Sequence, residues 1–457
     1  MPKAGWKELV LLALCVSIPC SFSYFARLAT SGQIQMFDFG AVYYGARCAM
    51  HHLDPYAAGP TLEEFEADGG SFAPSKADKS MGEVVITRND NLPTALFLTI
   101  PLALLPWGIA QNIWMILTAA LLVAAAFLTW DLGAGMTPLL WAGLAGFMLA
   151  ECDLLIDRGN VAGVAVSLCV IAAWCFLKNR FVWAGAVLLA LSLLLKPHDS
   201  GFVWLYFLLA GGTLRKRALQ TLAVTAVLAA CAALWITPVS PHWLQELHSN
   251  LATASARGGT SDPGPTGVSS PGIAESIDLQ AVLSFFKDDP HFYNPVSYLI
   301  CGILILVWGL KTWHKRFSME SARLALAAIA ALSLLPVYHR PYDAALLLLA
   351  LPACAMLWNA PGPRRWFALG LTTGGILLTG TIPLVLLDKH GQALAALASR
   401  LPGRLPTVLL LRPTPFVLFA MGCFYLWVYL RYEPERVEES ADVESGALRQ
   451  QVSEPAS

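Results

Sequence analysis

Six basic residues stand at the ends of apolar runs: Arg88, Arg158, Lys196, His198, His339 and Arg340. Singly, each has a plain explanation. A long cation snorkels to a membrane interface, or pairs with a nearby acid, as Arg158 can with Asp153 or Asp157 and Arg340 with Asp343. Together they describe an anion site. The planar fork of arginine and the point charge of lysine both suit phosphate. Pro197 and Pro341 stand where new helices begin, and helix N-termini add partial positive charge. Carboxylates accompany the bases: Asp38, Asp54, Glu151, Asp153, Asp157, Asp199 and Asp343. Glu151 and Asp153 fall inside or at the end of an apolar run, where a carboxylate is costly and usually paired or functional. Tyr43, Tyr44, Tyr56, Tyr338 and Tyr342 supply aromatic faces. A sugar joined to a lipid phosphate fits this mixture: rings stack on the sugar, carboxylates bind hydroxyls and bases hold the phosphate.

Asp38 opens the stretch that organises the others. Phe39, Val42, Ala46, Ala49, Met50 and Leu53 recur at helical intervals on one stripe, with Tyr43 or Tyr44, Arg47, His51 and Asp54 on another. The spacing predicts a short juxtamembrane helix lying on the bilayer surface, its polar face turned to water. At the head of that helix Asp38 is a good N-cap. It is also placed to serve as a general base. The two roles conflict, because capping pushes a carboxyl toward a low pKa.

The elements that must position these residues are membrane spans. The chain is 56% hydrophobic and 13% charged, with mean hydropathy +0.58. Apolar runs of roughly 15–23 residues recur from end to end, the pattern of a polytopic all-α membrane protein. Net charge is −1, and no basic cluster is large enough to suggest nucleic acid. No Cys-x-x-Cys or Cys/His spacing among the ten cysteines reads as a metal site or disulfide framework. They read as small packing residues, and no ligand spacing points to a metal or another cofactor. The N-terminal run lacks a small-residue cleavage site before Asp38 and reads as a retained anchor.

Spans are expected at about 6–25, 108–130, 137–156, 160–178, 181–195, 199–213, 216–237, 294–313, 321–337, 342–359, 365–387 and 413–431. Basic clusters at Lys178/Arg180, Arg215-Lys216-Arg217, Lys311–Arg316, Arg364-Arg365 and Arg431/Arg436 all fall inside if the Pro-broken run 92–106 does not cross. That run would be roughly 21 Å long as a helix, against a hydrocarbon core of roughly 30 Å. About twelve spans follow, as one membrane-embedded domain over 1–431. Its outer loops are 28–91, carrying the Asp38 helix, and 238–293. An acidic cytoplasmic tail, 432–457, has too little apolar content to fold. All six basic exceptions then gather on the outer side. No internal repeat is evident, which weighs against transporter folds built from repeated halves.

Four blocks in order resemble glycosyltransferase family 87, whose members are GT-C-fold membrane enzymes using polyprenyl-phosphate sugars, mannosyltransferases among them. The blocks are Asp38-Phe39-x-x-Val42-Tyr43-Tyr44 with Asp54-Pro55-Tyr56; Leu92-Pro93-Thr94-Ala95-Leu96-Phe97 with Pro101–Pro106; Arg158-Gly159-Asn160-Val161 with Leu195-Lys196-Pro197; and Tyr338-His339-Arg340-Pro341-Tyr342-Asp343. The chain departs from the family at Gly159-Asn160, where Gly-Gln is frequent, and at Asn91-Leu92-Pro93, where Tyr-Pro-Pro is. The resemblance implies a hexosyltransferase of the bacterial inner membrane with its active site outside. Asp38 would be the catalytic base. Lys196, Arg340, Arg158, Arg88, His339 and His198 would face the donor phosphate. Tyr43, Tyr44, Asp54, Tyr56, Asn160, Tyr342 and Asp343 would line the sugar and acceptor. The implied partners are membrane lipids, the lipid-linked donor and a glycan or lipid acceptor, with no metal required in principle. The competing readings are a flippase or transporter for a lipid-linked anion, and a scaffold for envelope assembly.

Overall fold

The computed structural model describes residues 5–29, 36–70, 86–133, 137–264 and 276–433. The distal part of the first loop, the end of the Gly/Ser/Pro stretch and the acidic tail lie outside them. Among the described residues every regular element is helical. In chain order these are α1 (Trp6–Ala29), α2 (Phe37–Met50), α3 (Pro60–Ala67), α4 (Pro93–Ala103), α5 (Trp107–Gly133), α6 (Pro138–Ala150), α7 (Asp153–Arg158), α8 (Ala162–Leu177), α9 (Val182–Leu195) and α10 (Pro197–Leu209). Then follow α11 (Gly212–Ile236), α12 (Trp243–Ser255), α13 (Leu279–Phe286), α14 (Pro290–His314) and α15 (Met319–Leu332). A 3-10 segment (Pro341–Ala350) runs into α16 (Leu351–Trp358), and α17 (Arg364–Thr379), α18 (Thr381–Ala398), α19 (Arg404–Leu411) and α20 (Pro413–Arg431) close the chain.

Seven of these segments are long and apolar enough to cross a membrane: residues 6–25, 107–133, 138–158, 212–236, 290–314, 341–358 and 413–431. Three shorter apolar helices, α4, α8 and α9, accompany them. Burial sorts the seven. In Pro341–Trp358, 83% of the apolar window is enclosed by protein, against 17% in α11, so the former is central and the latter offers its flank to lipid. The Ala-rich α15 is buried from Leu324 to Leu332 and packs on α20. Its small side chains allow the close helix approach that membrane packing depends on, where lipid gives no hydrophobic drive between helices.

Two cores result. The main one joins α1, α5, α6, α8, α10, α15, the 3-10 segment, α16 and α20. A second lies under the first long loop, where α2, α3 and α4 close over the N-terminal half of α5. Here the structure corrects the surface-helix expectation. Helix α2 is enclosed almost all round, and Tyr43 and Tyr44, assigned by spacing to a polar face, are both 0% exposed. They stack with Phe39, Phe65 and Trp107. The helix is an internal element because Trp107, Trp114 and Phe65 come from other parts of the chain to cover it.

Candidate active site

Helix breaks create the site. At Lys196 the chain leaves α9 and, one residue later, enters α10 at Pro197. A residue before proline is barred from helical backbone, and Lys196 is extended at φ −154°, ψ 83°. At Gly159 the chain leaves α7 in left-handed conformation, φ 63°. A Cβ there would stand 2.9 Å from the Cβ atoms of Met36 and Phe39, so only glycine admits the start of α2 this closely. The Trp114 indole donates to the Gly159 carbonyl at 2.9 Å, and Met36 N–H donates to the Asp157 carbonyl at 3.1 Å.

These contacts set Asp38 against Asn160. Asp38 is the second residue of α2; the residue before the helix is Met36, and no side chain caps the end. The carboxylate instead accepts a 2.7 Å hydrogen bond from Asn160 Nδ2. The other end of the Asn160 amide, Oδ1, accepts from Ala162 N–H at 2.9 Å and from Lys196 Nζ at 3.4 Å. With donors on Oδ1 and an acceptor at Nδ2, the amide orientation is determined by its partners. Asn160 thus ties Asp38 to Lys196.

Lys196 is the hub. Its ammonium bonds Asp343, lies 3.6 Å from Asp199 Oδ2, and sits 4.8 Å from the centre of the Tyr342 ring. Burial opposes its charge, but Asp199 and Asp343 outweigh this and raise its pKa. Asp343 also accepts from Arg340 N–H at 2.8 Å, closing the first turn of the 3-10 segment. The Arg340 side chain bonds the Tyr338 hydroxyl and donates to the Thr260 carbonyl in the second long loop at 2.8 Å.

His339 is fully buried. Its Nδ1–H donates to the Val337 carbonyl at 2.8 Å, and Nε2 lies 3.6 Å from Asp199 Oδ1. Burial, helped by the neighbouring His198, holds its pKa below the ordinary value. His198, 42% exposed, places its Nε2 3.7 Å from the same Asp199 oxygen. Asp199 is itself fully buried, and neither of its oxygens has a hydrogen bond.

The structure brings together Asp38, Asn160, Lys196, His198, His339, Arg340, Tyr342 and Asp343, residues the sequence had nominated. Others stand apart. Arg88 is exposed, and among the described residues no contact joins it to this cluster. Arg158 lays its guanidinium over the Phe37 ring at 5.7 Å, beside the start of α2. Tyr43 and Tyr56 give their hydroxyls to the Leu105 and Asn91 carbonyls, at 2.6 and 2.9 Å. With Tyr44 they are enclosed in the second core, so none of the three offers a ring face to a sugar. Asp54 accepts from Tyr56 N–H at 2.9 Å, turning the loop after α2.

Asp90 was not nominated. The residue is exposed in its loop. Desolvation by neighbouring protein pushes its pKa up to about 6, and the Asp38 charge raises it further; Arg340 and Lys196 act in the opposite direction. Asn89 beside it donates to the Ala41 carbonyl at 3.2 Å and so docks this loop on α2. An acid in a polar loop, without apolar periodicity around it, carries no local signal of such a position.

The arrangement holds a carboxylate beside an amide and a lysine, with buried acids and imidazoles behind them. It can accept a proton at Asp38 and receive an anion near Lys196 and Arg340. No curated protein and no solved structure matches the chain. The family model for glycosyltransferase family 87 matches residues 92–336, more than half of the chain. The chain therefore belongs to glycosyltransferase family 87.

Proposed function

We propose that this glycosyltransferase moves a hexose, mannose by the family resemblance, from a polyprenyl-phosphate donor to an acceptor hydroxyl outside the cytoplasmic membrane. Asp38 takes the proton from the acceptor hydroxyl. The oxygen attacks the anomeric carbon from the face opposite the phosphate, and the anomeric C–O bond breaks with inversion. Its electron pair leaves on the polyprenyl phosphate, near Lys196 and Arg340. Tyr342, half-buried beside Lys196, is the aromatic face placed to meet the sugar. This reading includes the GT-C architecture of about twelve spans, with α8, α9, α10, α15 and α17 supplying the crossings beyond the seven long ones, and α4 not crossing.

The observation that carries it is the connection Asp38–Asn160–Lys196, which sets a carboxylate that does not cap its helix beside the cation nearest the proposed leaving group. The test is transfer from radiolabelled polyprenyl-phosphate sugars by the purified protein in lipid. Asp38→Asn should lower turnover by roughly 10²–10⁴-fold, the scale of general-base loss, with unchanged expression and thermal stability. Transfer at the wild-type rate would remove Asp38 from the mechanism. Movement of the lipid-linked sugar across vesicles without any transfer would favour the flippase reading.

A further inference from the structure

Asp199 and His339 pose a problem that the transferase reading leaves unsolved. Both are fully buried, and neither the carboxylate oxygens nor Nε2 has a hydrogen-bond partner. His339 gives its Nδ1 proton to the Val337 carbonyl, so in the neutral ring Nε2 carries a lone pair. That lone pair faces Asp199 Oδ1 across 3.6 Å. His198 Nε2 stands 3.7 Å from the same oxygen. These gaps are too long for hydrogen bonds. Donors held about 2.0–2.2 Å from one tetrahedral ion lie roughly 3.3–3.6 Å apart, close to what is seen. A carbonyl bond on Nδ1 is also how proteins orient imidazoles that bind metal through Nε2.

Charge points the same way. At the proposed leaving phosphate the Lys196 ammonium is shared between two acids, Asp199 and Asp343. A centre that receives a phosphate anion needs more positive charge than that. Lys196 approaches Asp199 from Oδ2, leaving the Oδ1 side open to a second cation.

We propose that His198, Asp199 and His339 bind a divalent transition cation of the Zn²⁺ type, with Asp343 near enough to join them; the donor atoms of the four lie within 4.8 Å of one another. Two imidazoles select against Mg²⁺ and Ca²⁺. Three protein donors leave a coordination position for a phosphate oxygen. The charge argument rests on the transferase reading, whereas the donor geometry does not.

The test reads metal directly. Full-length protein in lipid nanodiscs is stripped with EDTA, reloaded with ZnCl₂ or CoCl₂, desalted, and its metal content measured by mass spectrometry. Wild type should keep about one equivalent, with Co²⁺ showing visible ligand-field bands. His198→Gln, at an exposed position that leaves the fold alone, should weaken binding by at least about tenfold, and Asp199→Asn or His339→Gln should abolish it. Asp38→Asn should keep the full equivalent. No retained cation in wild type, or equal retention in His198→Gln and Asp199→Asn, overturns the proposal. One equivalent held at these residues in a protein that transfers no sugar supports the metal site and counts against the transferase reading alone.

Discussion

At the scale of single residues, Asp38 and Asp90 divide the work of a carboxylate differently. Asp38 is oriented by Asn160 and free of helix capping, which removes the conflict between cap and base. Asp90, although exposed, has its pKa pushed from 3.8 up to about 6 by desolvation from neighbouring protein, with the Asp38 charge adding to the effect. Between those two pH values the folded state holds a proton that the unfolded chain releases. Stability contributed by this group is therefore present at low pH and declines as pH rises through about 6. The fall in Tm from about pH 5 to about pH 7 should be smaller in Asp90→Asn than in wild type. An identical fall in both proteins would show that Asp90 does not titrate in this range.

At the scale of elements, the site depends on breaks between helices. Gly159 is one of them, with left-handed backbone and two neighbouring Cβ positions at 2.9 Å. Gly159→Ala should cost about 1–2 kcal/mol from the backbone alone. Relief of the clash would push α2 outward and take Asp38 away from Asn160. A lower Tm with transfer reduced more than the stability loss explains is the expected result; wild-type Tm and rate would mean that α2 is not held through Gly159. The second long loop is tied in by comparable devices. Asp278 caps α13 through Ala281 N–H at 3.0 Å and accepts His339 N–H at 3.3 Å. Arg412, 3% exposed at the α19–α20 break, donates to the Pro263 carbonyl at 2.9 Å. The Asp278 and Thr260 contacts position the Tyr338–Asp343 block from a loop 61 to 80 residues upstream.

At the scale of the whole molecule, lipid and protein divide the helices. Exposed leucines, isoleucines and tryptophans on α1, α11 and α14 are what a bilayer would cover, while Pro341–Trp358 runs through the middle. The proposed topology puts Arg215-Lys216-Arg217 in the cytoplasm and α12 outside. In a cysteine-depleted background, an impermeant maleimide applied to intact cells should label a cysteine at Ser249 and spare one at Lys216 until the membrane is opened. The reverse pattern would invert the orientation and with it the outward-facing site.

Apolar runs and their proline and glycine breaks made most helices legible, because helix formation and membrane partition depend on local composition. Twelve helical regions and the order of four blocks could be read that way, and the blocks pointed to the family to which the chain belongs. What only the tertiary structure decided is which ends of which helices meet. Asn160 reaches Asp38 across 122 positions of sequence, and Lys196 reaches Asp343 across 147. In a membrane helix every face is apolar, so periodicity does not reveal which face meets protein and which meets lipid. For the same reason α2 looked amphipathic, although aromatic residues from α3 and α5 cover its tyrosines. The influence of Asp38 on Asp90, and the approach of His339 to Asp199 without a hydrogen bond, emerged only from packing, since which charges meet belongs to the assembled helices and to no segment alone.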